Sequence, residues 1–306
     1  MLSNREQTAG HQQRPKSKFP NSESETFIQY LVVNVYGLLV LAILVASGAS
    51  WANLFRRFKQ QRPLLPARFR SLDASVPPFA IAVVFAYLSL NLAIIFSSPE
   101  AREFDAEVTL KQVQASIVEG LIATFLVGGI LVSLSPRKTN LIRLGFRLDH
   151  LTNQLTVGLR GFIVAILPVF TLLMLTLPLR STETLHPFLR LLDERGFGSE
   201  FLIVAFAAVV IAPIKEELIF RVSLQSWLVN RFGAKVGIAV TALVFAMVHG
   251  LPDALPLLPL AIILGIVYHY RRSYVAVVIT HALFNALNLS AVWIQKYAEN
   301  LLGIVD

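Results

Sequence analysis

Five side chains able to handle protons or ions fall inside otherwise apolar stretches of this sequence. Glu216 and Glu217 lie in FLIVAFAAVVIAPIKEELIFRVSLQSWLV, His249 ends AVTALVFAMVHG, and His281 and Asn285 lie in SYVAVVITHALFNALN. A charged side chain at the centre of an apolar span costs at least about 2.5–3.5 kcal/mol, so such residues are retained for a function or as a paired brace. Carboxylates and imidazoles gathered in one low-dielectric layer can relay a proton or hold an ion. The chain has only six histidines, and His249 and His281 both fall in these contexts. With no cysteine, disulfides, thiolate metal sites and a cysteine nucleophile are excluded.

Spacing divides the labour among these residues. Glu217 and Arg221 are four apart, with the acid N-terminal to the base, so on a helix they share a face and pair. Glu216 then points about 100° away and is left free for other work. Pro213 stands one turn earlier and cannot donate its backbone amide, which predicts a kink beside the carboxylates. His281 and Asn285 are also four apart and share a face. Taken singly, a Glu–Arg pair in a membrane helix is as readily a packing bridge, and a lone buried histidine is more often structural.

The elements that must position these groups are apolar helices. Hydrophobic residues make up 55% of the 306-residue chain, and the mean hydropathy is +0.63. The apolar residues cluster into eight candidate spans, at 27–49, 76–97, 115–134, 155–178, 201–226, 236–250, 255–270 and 274–294. The sixth and seventh are short against the roughly 20 residues a bilayer requires. The expected fold is therefore all-α, a polytopic membrane protein of about eight transmembrane helices. A polar tail at 1–26 reads as disordered, 27–178 as N-terminal transmembrane helices, and 200–295 as the segment carrying the polar cluster.

Loop charge supports this layout. The loop after the first span carries Arg56, Arg57, Lys59, Arg62, Arg68 and Arg70, and the next carries Glu100, Glu103, Asp105 and Glu107. Further basic clusters are Arg137–Lys138, Arg231 with Lys235, and Arg271–Arg272. The positive-inside rule puts the basic loops in the cytoplasm. It also explains the net charge of +8 without nucleic acid as a partner. Trp51 fits an interface anchor. Measured along helices from the 231–235 turn, Glu216 lies about 22 Å and His249 about 21 Å away. From the 271–272 turn, Asn285 lies about 20 Å and His281 about 13 Å away, so all four can meet in one layer.

EELIFR (216–221), FAMVH (245–249, containing Phe245) and HALFN (281–285) resemble, in order and separation, the EExxxR, FxxxH and HxxxN motifs of the CPBP family. That family comprises type II CAAX prenyl-protein proteases and related Abi-type bacteriocin-processing and immunity proteins. The resemblance covers about 200–295; Lys215 and Val222 are its less usual residues. It implies an intramembrane hydrolase, a peptidase acting on a membrane-associated peptide or protein. Under it, Glu216 with His249 would activate water, His281 and Asn285 would stabilise the oxyanion, and Glu217 with Arg221 would brace them. Glu216, His249 and His281 could also supply a zinc site of a metalloprotease, although no HExxH is present, and a mechanism without a cofactor is favoured. The alternatives are a non-proteolytic scaffold or immunity factor and a proton- or ion-coupled transporter. The expected location is the cell membrane, in contact with lipid.

Overall fold

A computed structural model describes residues 23–62, 74–97, 106–135, 137–179, 188, 190–192, 198–250 and 253–302, and no strand occurs among them. The chain has an all-α, polytopic membrane fold. Its helices are α1 (Glu23–Lys59), α2 (Pro78–Ser97), α3 (Ala106–Ser133), the short α4 (Lys138–Arg143), α5 (Leu151–Thr176), α6 (199–232), α7 (234–247), α8 (Ala254–Arg271) and α9 (Tyr274–Leu302). Each of the eight apolar stretches is helical, and α4 lies in the loop after the third. Residues 1–22 of the tail lie outside the described residues, as do Arg68, Arg70, Glu100, Glu103 and Asp105. Residues 23–26, expected in the tail, already belong to α1.

Five helical segments among the described residues are long and apolar enough to cross a membrane. They are Phe27–Lys59, Thr109–Ser133, Leu151–Leu179, Ala254–Arg271 and Tyr274–Gln295, with Pro78–Ile94 a shorter apolar helix. Burial separates them into core and periphery. Only 6% of the most apolar window of α1 is buried, against 39% for α8. The outward side of α1 is a run of exposed Phe27, Leu31, Val35 and Leu38, the surface expected against lipid.

Backbone repair explains how α1 is held. Pro168 lies inside α5, and a proline cannot donate to the carbonyl four residues earlier, here that of Val164. The indole N–H of Trp51 donates to that carbonyl at 3.0 Å. Trp51 therefore does more than anchor an interface: it ties α1 to α5. Nearby, the Leu167 amide donates to the fully buried Ser47 Oγ at 3.0 Å. In hydrocarbon every such orphaned group costs several kcal/mol unless a neighbouring helix supplies a partner.

The helix bearing the two glutamates is not uniform. From Ser199–Phe206 it passes through a π-helical turn at Ala207–Ile211, an α-helical stretch at Ala212–Glu217 and a second π stretch at Leu218–Gln225. It ends at Gly233, whose φ of 82° is a left-handed conformation that breaks α6 from α7. The expected basic turn between the fifth and sixth spans is this break. α7 returns antiparallel to α6, and α8 and α9 follow, with α5 packed against both of them.

Candidate active site

The first π turn shows why Pro213 matters. There the Ala212 amide bonds to the Ala207 carbonyl, five residues back. In that register the donor for the Ala208 carbonyl would be residue 213, and proline has no N–H to give. The orphaned oxygen accepts instead from Nδ2 of Asn285 at 2.8 Å. Pro213 thus acts through a widened turn rather than a simple kink, and α9 repairs it. A second tie lies six residues on, where the Tyr274 hydroxyl donates to the Ile214 carbonyl at 2.6 Å. Tyr274 and Asn285 therefore clamp α9 to α6 just before the carboxylates.

The charged groups follow these two ties along α6. Arg221 Nε is 3.3 Å from Glu217 Oε2, and neither side chain is exposed at all. The guanidinium carbon sits 4.8 Å over the ring of Phe245 on α7. A cation over an aromatic face in a desolvated setting is worth about 2 kcal/mol. The second π stretch carries Arg221, and its widened turns are satisfied locally: Ser223 Oγ donates to the Leu218 carbonyl at 3.0 Å and Ser226 Oγ to that of Arg221 at 3.3 Å. The other oxygen of Glu217 accepts from Nδ1 of His281 at 2.9 Å, a link that the i,i+4 spacing does not reveal.

Phe245 organises the remainder. Its carbonyl accepts from Nδ1 of His249 at 2.7 Å, the i,i+4 contact of a helix end. Its ring is wholly buried, 4.6 Å from the His249 ring and 5.7 Å from that of His281. A carbonyl oxygen has only lone pairs, so Nδ1 of His249 must carry the hydrogen. The same holds for Nδ1 of His281 against a carboxylate already paired with Arg221. In the neutral rings both Nε2 atoms are then acceptors. They face Glu216 Oε2 at 3.8 Å from His249 and 4.0 Å from His281.

Three acceptor atoms therefore converge on one space, with Glu216 and His249 partly accessible and His281 almost covered. A water donating both hydrogens fits between Glu216 Oε2 and His249 Nε2. A tetrahedral zinc ion with bonds of about 2.0–2.2 Å would hold its donor atoms about 3.4 Å apart, closer than these pairs. Among the described residues no group of three His, Cys, Asp or Glu is arranged to hold a metal ion. The zinc set left open by the motifs is not formed by these side chains as they stand.

The structure thus brings Glu216, Glu217, Arg221, Phe245, His249 and His281 together. Asn285 lies one turn from His281 with its amide directed at Ala208. The family comparison falls on this region. Residues 198–287 match the family described as type II CAAX prenyl endopeptidase, Rce1-like. This segment is similar to that family. It contains all three motifs, both π stretches and both ties to α9. A Lactococcus lactis subsp. cremoris protein described as "UPF0177 protein in abiGi 5'region" is 36% identical over 90 residues, covering 28% of this chain and 38% of that protein. The match thus spans little more than a third of that relative's length. No solved structure matches the chain.

Two residues outside the motifs also belong to the region. Tyr274 opens α9 and has only the signal of an aromatic residue after a basic turn. Glu119 on α3 binds Lys215, and its signal was available: it is an ionisable residue inside the third apolar span.

Proposed function

We propose that the chain is an intramembrane endopeptidase of the cell membrane that hydrolyses a peptide bond in a membrane-associated peptide or protein. The observation that carries this reading is the convergence of Glu216 Oε2 with two imidazole Nε2 atoms, each ring held through Nδ1 by a fixed acceptor. A pair of groups that can share the protons of one water is what general-base hydrolysis requires. The Rce1-like match at 198–287 supports the same reaction class.

In this mechanism a water donates one hydrogen to Glu216 and the other to Nε2 of His249. Glu216 takes the proton as the water oxygen bonds to the scissile carbonyl carbon. The proton then passes to the departing amine as the C–N bond breaks, leaving a carboxylic acid and an amine. The tetrahedral oxyanion needs donors. His281 can supply Nε2–H only as a doubly protonated ring, whose charge would face Glu217 across Nδ1. Asn285 has a second amide hydrogen beyond the one given to Ala208. Such donors are worth roughly 2.7–4 kcal/mol each in a water-excluded site. No step passes through a metal ion.

The test is cleavage of a quenched peptide library by purified protein, wild type against Glu216→Gln, with and without chelator. The expected result is a loss of about 100-fold or more in the variant, unchanged folding, and no effect of chelator. Equal cleavage by both proteins would overturn the mechanism, and loss with chelator restored by zinc would overturn its metal-free form.

A further inference from the structure

Glu119 lies about 15 Å along α3 from Thr109 and about 21 Å from Ser133, well inside the span. Its Oε2 is 2.8 Å from Nζ of Lys215, the residue immediately before Glu216. Its Oε1 is buried with no hydrogen-bond partner. A carboxylate at this depth is retained only against a strong compensation. The approach of the two helices is equally specific. A Cβ on Gly120 would stand 2.4 Å from Cγ2 of Ile211, at the end of the first π turn, so only glycine lets α3 come this close. On the other flank, the Lys215 ammonium is 5.7 Å from the ring centroid of Tyr87 on α2.

These contacts hold the ammonium on the outer side of α6. Its alternative partner is Glu216, which follows it in the chain and already acts on it electrostatically. Lysine is a point charge on a flexible four-carbon stem and can re-aim. Paired with Glu216, it would occupy the lone pairs that must receive the proton of water. We infer that Glu119 is a positioning residue for the reaction: it draws Lys215 away from Glu216 and so keeps that carboxylate available as a base. The inference rests on the hydrolytic reading of Glu216, and it gives α2 and α3, outside the Rce1-like segment, a part in the chemistry.

The test compares wild type, Glu119→Gln, Lys215→Met and the double variant, each purified in the same detergent. One readout is peptide cleavage. The other is labelling of Glu216 by dicyclohexylcarbodiimide, which modifies protonated carboxyls in apolar surroundings, read by mass spectrometry. Glu119→Gln is expected to lower kcat about tenfold or more with little change in KM, and Lys215→Met to retain most turnover. Removing the freed ammonium in the double variant should restore kcat. Labelling of Glu216 should fall in Glu119→Gln and return in the double variant. A brace that merely holds α3 to α6 would leave the double variant no better than Glu119→Gln, and that result overturns the inference, as does wild-type behaviour of Glu119→Gln. Absent cleavage in wild type together with the expected labelling pattern would fell the protease reading and leave the sequestration standing.

Discussion

Two carboxylate–cation pairs flank Glu216, and they are built in opposite ways. On the inner side Glu217 and Arg221 are one helical turn apart, fully buried, and capped by Phe245 from α7. On the outer side Lys215 reaches across to Glu119, 96 residues away in sequence, and the side chains are 13% and 43% exposed. The inner pair cannot be separated without leaving a naked charge in the core. The outer pair is partly exposed and can rearrange. Folding therefore depends on the first, while the second is free to tune the group between them. The same division holds for the helices, since α8 and α9 are packed into the core while α1 is mostly exposed.

The contrast can be broken or sharpened by substitution. Arg221→Leu should have the largest effect, because it leaves the buried Glu217 with His281 but without its cation; a loss of about 3–5 kcal/mol is expected from thermal or denaturant unfolding in detergent. Stability within 1 kcal/mol of wild type would show that the inner pair is no structural keystone. Asn285→Ala orphans the Ala208 carbonyl and should cost about 1–3 kcal/mol, in addition to any loss of turnover. If turnover falls with stability intact, the amide serves the reaction and not the backbone. Tyr274→Phe removes one hydrogen bond from a carbonyl that keeps the Leu218 amide, so a loss near 1 kcal/mol is expected by the same assay. The smallest effect belongs to the outer pair: a double-mutant cycle of Glu119→Gln and Lys215→Met should give a stability coupling of about 1 kcal/mol, because Glu119 is partly exposed. A coupling as large as that of the inner pair would erase the distinction.

What the sequence makes legible follows range. The eight apolar blocks read directly as helices, because membrane spans are defined by local composition. EELIFR, FAMVH and HALFN read as three clusters because their partners sit at i,i+4 or on a helix whose depth can be counted from a basic turn. The link between Glu217 and His281 spans 64 residues and has no periodic signature. Pro213 announces a disturbed backbone, but not that the repair is a π turn or that Asn285 completes it. The histidine tautomers depend on a carbonyl and a carboxylate, which only coordinates reveal. Glu119 was visible as a charge in an apolar span, yet nothing local names Lys215 as its partner.

The π turn at Ala207–Ile211 also sets a limit on how this protein can vary in length. A helix is a counting device, and each residue removed from or added to the α-helical stretch just before Glu216 turns that carboxylate by about 100°. One deletion within 207–211 would let the turn relax to ordinary α-helical register. That relaxation would absorb the lost residue and leave Glu216 aimed much as before, whereas a deletion within 212–214 would aim it away from both imidazoles and pull Lys215 off Glu119. The stretch between the two π turns must keep its count, while the first π turn can give up a residue. In α6, spelling matters less than meter.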